Sequence, residues 1–240
     1  EQGLVPDMPI EPGEKTNEPI RTRGWRYWHH LFNPRQIIQF AIFKKNSHYP
    51  ENPVWMARAL DFNSRLNAWV GPSGYENTNN VFSNQALNTL MNYGVRGWGM
   101  TSTSFSFPEN SEIHSDRVQV ETNSATSINE SSEIWITDPP YADAVHYHEI
   151  TEFFIAWLRK NPPSPFNQWN WDSRRALAIQ GSGEDFRRSM VESYSAMAEN
   201  MPDNGLQCVM FTHQDTSVWG DMISIFWAAG LQVVGAWYIA

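Results

Sequence analysis

Apolar and polar positions divide the chain into a helical first half and a second half in which strands and helices alternate. Residues 1–20 are rich in Pro, Glu and Gly, show no periodicity, and predict a linker or a meandering surface segment. Asn33-Pro34 predicts a helix start with proline at the first helical position, and Ile37, Ile38, Ala41 and Ile42 follow at helical spacing. A second helix is predicted over 54–69, with Trp55, Ala59, Leu60, Phe62 and Leu66 as its apolar stripe. Gly71-Pro72-Ser73-Gly74 breaks the chain, a third helix is predicted over 84–93, and a glycine-rich stretch covers 94–99.

The period then switches. Residues 117–121 form a short β-type run, and Ile134–Thr137 predicts a strand. An amphipathic helix is predicted over 148–160 from Ile150, Phe153, Phe154 and Trp157, and Pro162-Pro163 forbids its continuation. Glu184–Glu199 predicts a helix, 206–212 an apolar strand, 217–229 a helix stopped by Gly230, and 231–239 a further strand. This alternation predicts an α/β fold with a doubly wound, mostly parallel sheet. The expected domains are a mainly helical insert over 1–112 and an α/β part over 113–240.

Composition changes the picture in four ways. With 240 residues, 18% charged and 41% hydrophobic, the chain suits one large domain, or a domain plus an insert, and is not a disordered one. The net charge of −9 excludes a surface that attracts polyanions everywhere, so a nucleic-acid face has to be local. One such place stands out. Between Arg21 and Pro50 there are Arg21, Arg23, Arg26, Arg35, Lys44 and Lys45 and no acidic residue, interleaved with Trp25, Tyr27, Trp28 and Phe32. These cations either meet a phosphate backbone or simply face solvent and pair with acids elsewhere. The single cysteine, Cys208, excludes an internal disulfide and a cysteine-built zinc site, and its apolar surroundings predict a small buried residue. No signal peptide or spanning apolar run is evident, so a soluble cytoplasmic protein without a membrane partner is expected. The chain starts at Glu1 and stops at Ala240 directly after a predicted strand, as expected of a piece of a longer protein.

In open α/β sheets ligands bind beyond the carboxyl ends of the strands, where Asp138-Pro139-Pro140-Tyr141 follows Ile134–Thr137. The tetrapeptide suits attack by an exocyclic amino nitrogen on a methyl donor. Asp138 can accept one N–H of the amine and the Pro139 carbonyl the other. Pro139 and Pro140 remove backbone donors and stiffen the loop, and Tyr141 offers a face on which an extruded base stacks. A tight Pro-Pro turn closed by aspartate would use the same residues.

The segment from Ile134 to Tyr141, followed by Ala142-Asp143-Ala144-Val145-His146-Tyr147, resembles the catalytic segment of amino-group DNA methyltransferases. More narrowly, it is similar to the large bacterial adenine-specific DNA methylases found in genomic islands and phage-defence clusters. Leu31-Phe32-Asn33-Pro34-Arg35-Gln36, Asp61-Phe62-Asn63-Ser64-Arg65, Asn84-Gln85-Ala86-Leu87-Asn88 and Val209-Met210-Phe211-Thr212-His213 agree with it. The resemblance implies a partial Rossmann-like fold, S-adenosylmethionine as cofactor, DNA as partner, and transfer of a methyl group to N6 of a flipped adenine. It nominates Asp138, Pro139, Pro140 and Tyr141 as catalytic and Asn123 and Ser124 as contacts to the cofactor's adenine; the local excess of basic residues, not the resemblance, makes Arg21, Arg23, Arg26 and Arg35 the candidate DNA surface. The family's Phe-x-Gly-x-Gly cofactor loop is missing from the sequence, and Gly181-Ser182-Gly183 follows a basic stretch rather than a strand. The chain alone is therefore expected to be inactive.

His146, His148, Glu149 and Glu152, with His213 as a third histidine, form a second polar cluster. A zinc hydrolase helix reads His-Glu-x-x-His, whereas His148-Glu149-Ile150-Thr151-Glu152 lacks the second histidine, so no metal is expected and pocket-lining or helix-capping roles are. Beside adenine methylation stand N4-cytosine or RNA-base methylation, a catalytically silent DNA-binding or scaffold subunit of a defence complex, and a metal-dependent hydrolase.

Overall fold

The computed structural model describes residues 3–49, 51–67, 80–81, 118–140, 146–172, 175–179 and 183–238, with the backbone alone of 69–70 and 77–78. They divide between two compact units, one within Glu1–Glu121 and His146–Arg175, the other within Thr122–Val145 and Ala176–Ala240. The helix predicted over 84–93, the glycine stretches at 71–74 and 94–99, and Tyr141 lie outside the described residues.

The first unit is helical. Helix α1 spans Asn17–Arg23, α2 Pro34–Lys45 and α3 Asn52–Asn63, and the short α4 (Tyr147–Ile150) and α5 (Glu152–Leu158) meet at Thr151. Two-residue strands β1 (Trp69–Val70) and β2 (Asn77–Thr78) pair antiparallel. Helix α2 begins where Asn33-Pro34 predicts. The Asn33 carboxamide accepts from the Gln36 amide (2.9 Å) and the Gln36 side chain accepts from the Asn33 amide (3.0 Å), which together form a capping box. Its buried face differs from the predicted one: Phe40, flanked by Ile37 and Phe43, enters the core, whereas Ile38 and Ile42 are 60% and 58% exposed. The larger apolar surface of Phe40 sets the rotation of the helix. Helix α3 stops at Asn63, short of the predicted Trp69. Polar side chains compete with the helical ladder there: Asn63 Nδ2 donates to the Ala59 carbonyl (2.7 Å), Ser64 Oγ to Asn67 Oδ1 (2.7 Å), and Asn67 Nδ2 to the Asp61 carbonyl (2.6 Å).

Aromatic rings hold this unit together. Phe32 stacks on Phe153 at 5.8 Å between centroids, and Trp157 meets Phe32 and Phe40 edge-on at 5.3 and 5.4 Å. The predicted linker over 1–20 is part of the same packing. Ile10, Thr16 and Pro19 are buried, and the Ile10 amide donates to the Arg26 carbonyl at 2.8 Å. Lack of periodicity reflected an irregular segment, not a detached one.

The second unit is mixed α/β. Strands β3 (Ile134–Thr137) and β4 (Leu206–Val209) pair in parallel, with Ile134 opposite Leu206 and Thr137 opposite Val209. Helix α6 (Glu184–Glu199) lies in the crossover between them and α7 (Thr216–Ala228) follows β4. Parallel pairing requires such a crossover. Trp135, Val209 and Phe211 pack against Phe186, Met190, Tyr194, Met222 and Ile225 of the two helices. The opposite face carries Ile134, Ile136, Leu206 and Met210 exposed. Cys208 shares that face and is exposed, not buried as its apolar neighbours predict, because successive residues of a strand alternate between faces.

Two predicted strands are not formed. Residues 118–121 of the first and 231–238 of the second lie outside any strand, and Val234, Trp237 and Tyr238 are 79%, 85% and 92% exposed. A β-prone run becomes a strand only when a neighbour accepts its backbone hydrogen bonds, and among the described residues neither run has that ladder. Strand β4 likewise ends at Val209 rather than residue 212. No helix of the described residues is long and apolar enough to cross a membrane.

Candidate functional site

Strand β3 carries Asp138 to the edge of the sheet. The Met210 amide still donates to the Thr137 carbonyl at 2.8 Å, so the parallel ladder runs to the residue before Asp138 and stops. Beneath it, the buried Tyr194 hydroxyl of α6 lies 3.2 Å from Thr137 Oγ1. Burial pushes the Tyr194 phenol above its ordinary pKa, against the Thr137 hydrogen bond, and the nearby Asp138 charge pushes the same way. A protonated tyrosine therefore props the strand end from within the core.

Asp138 is exposed and Pro139 and Pro140 are half-buried. Pro140 lines a pocket with Phe186, Arg187, Phe211, Asp221 and Met222. Arg187 Nη2 and Asp221 Oδ2 pair at 3.1 Å at this pocket, and Asp221 raises the Arg187 pKa. Phe211 meets Trp219 edge-on at 5.0 Å, and Trp219 Nε1 donates to the His213 carbonyl at 3.0 Å. Of the tetrapeptide, Pro140 meets this aromatic and apolar wall with its charged pair, two residues after the exposed Asp138. Phe211 belongs to a stretch that carried the resemblance; Arg187, Trp219 and Asp221 left no sequence signal of their own.

The other nominated residues are placed as follows. Asn123 is exposed, and Ser124 is half-buried at the start of a 3-10 turn, Ala125–Ser127, where its Oγ lies 2.9 Å from Thr126 Oγ1. Arg21, Arg23, Arg26 and Arg35 are all exposed in the first unit. The aromatic residues interleaved with them do not form a stacking platform: Trp25, Trp28 and Phe32 are core residues, and Tyr27 is partly exposed. Lys44 is drawn inward, donating to the Trp157 carbonyl at 2.7 Å, and burial together with Lys160 and Arg159 pushes its pKa down to about 8.

The histidine cluster separates into two arrangements. Glu152 is fully buried and forks onto Arg175, at 2.6 Å to Nε and 2.7 Å to Nη2. Glu149, also buried, accepts from the backbone amides of Glu14 (3.1 Å) and Lys15 (2.9 Å). Burial, the largest single influence on Glu149, raises its pKa but is outweighed by the Lys15 amide, His146 and the Glu14 amide, so the carboxyl sits below its ordinary value. His146 occupies the N-cap position of α4 without a side-chain capping bond, contrary to a capping role. His213 belongs to the second unit, where its Nδ1 accepts from the Asp215 amide at 3.0 Å.

Comparison of the chain with protein-family models, with curated proteins and with solved structures returns no match.

Proposed function

We propose that this chain carries the base-binding part of a Rossmann-like, S-adenosylmethionine-dependent methyltransferase acting on N6 of adenine in DNA. The supporting observation is the position of Asp138-Pro139-Pro140: it leaves the carboxyl end of a parallel strand, and its Pro140 lines a pocket walled by Phe186 and Phe211. The Asp138 carboxylate holds one N–H of the base's amino group and the Pro139 carbonyl the other, which turns the nitrogen lone pair away from both acceptors. S-adenosylmethionine, when bound, supplies the electrophilic methyl group. Transfer would break the donor's S–CH3 bond, the sulfur keeping the electron pair as a neutral thioether, and the acidified N–H proton of the methylated amine would pass to Asp138 and on to solvent. For the cofactor the residues present fit only in part: Asn123 and Ser124 are the candidates for its adenine, while Asp221 is already paired with Arg187 and no glycine-rich loop stands after a strand among the described residues.

Exposed Arg21, Arg23, Arg26 and Arg35 support DNA as the partner of an otherwise acidic, cytoplasmic protein working with defence-system partners. The test is incubation of the protein as its gene encodes it with methyl-labelled S-adenosylmethionine and DNA, followed by nucleoside analysis. N6-methyladenine is expected. Label in N4-methylcytosine or only in RNA would reassign the base, and no transfer to any nucleic acid would leave a silent DNA-binding subunit.

A further inference from the structure

We propose that His146, His148 and Glu149 form a binding site for a divalent transition-metal ion, with zinc the best match. Each offers one ligand atom, and the three atoms lie within 4.8 Å of one another. The site lies in the first unit and is independent of the chemistry assigned to Asp138.

Glu149 is a fixed ligand. It is 3% exposed, its two oxygens accept from consecutive amides of Glu14 and Lys15, and Gly13 packs so close that a Cβ there would collide with the carboxylate. Oε1 keeps one lone pair beyond the Glu14 amide. His146 Nδ1 faces this oxygen at 3.0 Å, while its Nε2 lies 3.3 Å from Glu14 Oε2. A neutral imidazole has one N–H. If Nε2 gives it to Glu14, the lone pair of Nδ1 confronts the lone pair of Oε1, and a cation between them resolves the conflict. A carboxylate on the far nitrogen is the arrangement that orients metal-bound histidines and raises their basicity.

His148 completes the set. Its Nε2 stands 3.8 Å from the same Glu149 oxygen, too far for a hydrogen bond. Ligands about 2.0–2.2 Å from a tetrahedral zinc stand roughly 3.3 Å apart, and the separations of 3.0 and 3.8 Å bracket that spacing. Two imidazoles and one carboxylate leave a fourth position for solvent, the ligand count of an open zinc site. His-x-His-Glu, running from the N-cap of α4 into its first turn, replaces the His-Glu-x-x-His spacing of a zinc hydrolase helix. The ion would tie the 13–16 segment to α4.

The alternative is a proton: an imidazolium of His146 bridging Glu14 and Glu149 satisfies the same contacts. The test titrates the chelator-treated chain with zinc chloride by calorimetry and with cobalt(II) by visible absorption. One equivalent of zinc, a four-coordinate cobalt spectrum and a rise in Tm with zinc are expected. His146→Ala and His148→Ala should lose zinc affinity by about 100-fold or more, and His29→Ala/His30→Ala should leave it unchanged. Exposed Glu14→Gln, which keeps the fold, should weaken it by about 10–100-fold as an orienting group. No stoichiometric zinc, or full affinity in Glu14→Gln and in a folded His146→Ala/His148→Ala double variant, overturns the site in favour of the protonated triad.

Discussion

Removing Arg175 while leaving Glu152 should be among the most damaging single substitutions in the first unit. Glu152 has no exposed surface, and Arg175 meets it with two donors at 2.6 and 2.7 Å. The remaining guanidinium N–H groups reach the Pro12 and Glu11 carbonyls at 3.3 and 3.2 Å, so one side chain joins α5 to the N-terminal segment. The fork also raises the Arg175 pKa, chiefly through the Glu152 hydrogen bonds. Arg175→Met keeps the stem and strands the carboxylate, a loss of about 3–5 kcal/mol for a buried pair broken on one side. A domain has about 5–15 kcal/mol in total. With a urea dependence of about 2 kcal/mol per molar, the midpoint should fall by roughly 2 M. Glu152→Leu in the same background removes the stranded charge and should recover most of that loss, because replacing both partners of a buried pair is about neutral. Urea unfolding followed by circular dichroism and tryptophan fluorescence reads both variants. An Arg175→Met variant within 1 kcal/mol of the parent, or a double variant no better than the single, refutes the reasoning.

Three further outcomes follow from the same geometry. Lys44 has a folded pKa of about 8 against an ordinary 10.5, so the unfolded chain binds the extra proton between those values and stability should rise as pH climbs through that window. Discounting for its partial exposure leaves about 1–2 kcal/mol, and a Lys44→Met variant whose stability rises just as much would contradict the assignment. Both polar atoms of the Gln207 amide are buried without a partner among the described residues, so Gln207→Leu should stabilise by about 1 kcal/mol in chemical denaturation; a loss of that size would reveal a polar partner. Replacing Arg21, Arg23 and Arg26 together with alanine should weaken DNA binding alike for all sequences and lower the slope of log K against log salt by roughly 0.9 per lost contact, and an unchanged slope moves the DNA surface elsewhere.

Much of the local structure was legible because its signals are local. Asn33-Pro34 started a helix through a capping box completed three residues on, and Gly230, with φ of 82°, closed another after a helix with a regular apolar repeat. What failed depended on distant partners. Residues 118–121 and 231–238 had strand composition but lacked a neighbour among the described residues, and Ile38 and Ile42 were out-competed for the core by Phe40. Cys208 was misplaced because 206–211, apolar apart from Gln207, reads as buried on both faces, whereas β4 presents one face outward. At the candidate site, Asp138 and Pro139 could be nominated from one motif at one strand end. Arg187 and Asp221 could not, since their pairing spans 34 positions of chain. The His146–Glu149 contact was near in sequence, yet the amides of Glu14 and Lys15 that fix Glu149 come from more than 130 residues away.

Asp138 is where the proposal is most exposed to measurement. In the protein as its gene encodes it, single-turnover transfer of labelled methyl to DNA should fall by about 100-fold or more in Asp138→Ala, the loss typical of a group that positions and polarises a reacting atom. The fold should persist, because the side chain is exposed and Tyr194 and Thr137 hold the strand end beneath it. Methyl transfer at the parental rate in a folded Asp138→Ala protein would contradict the account.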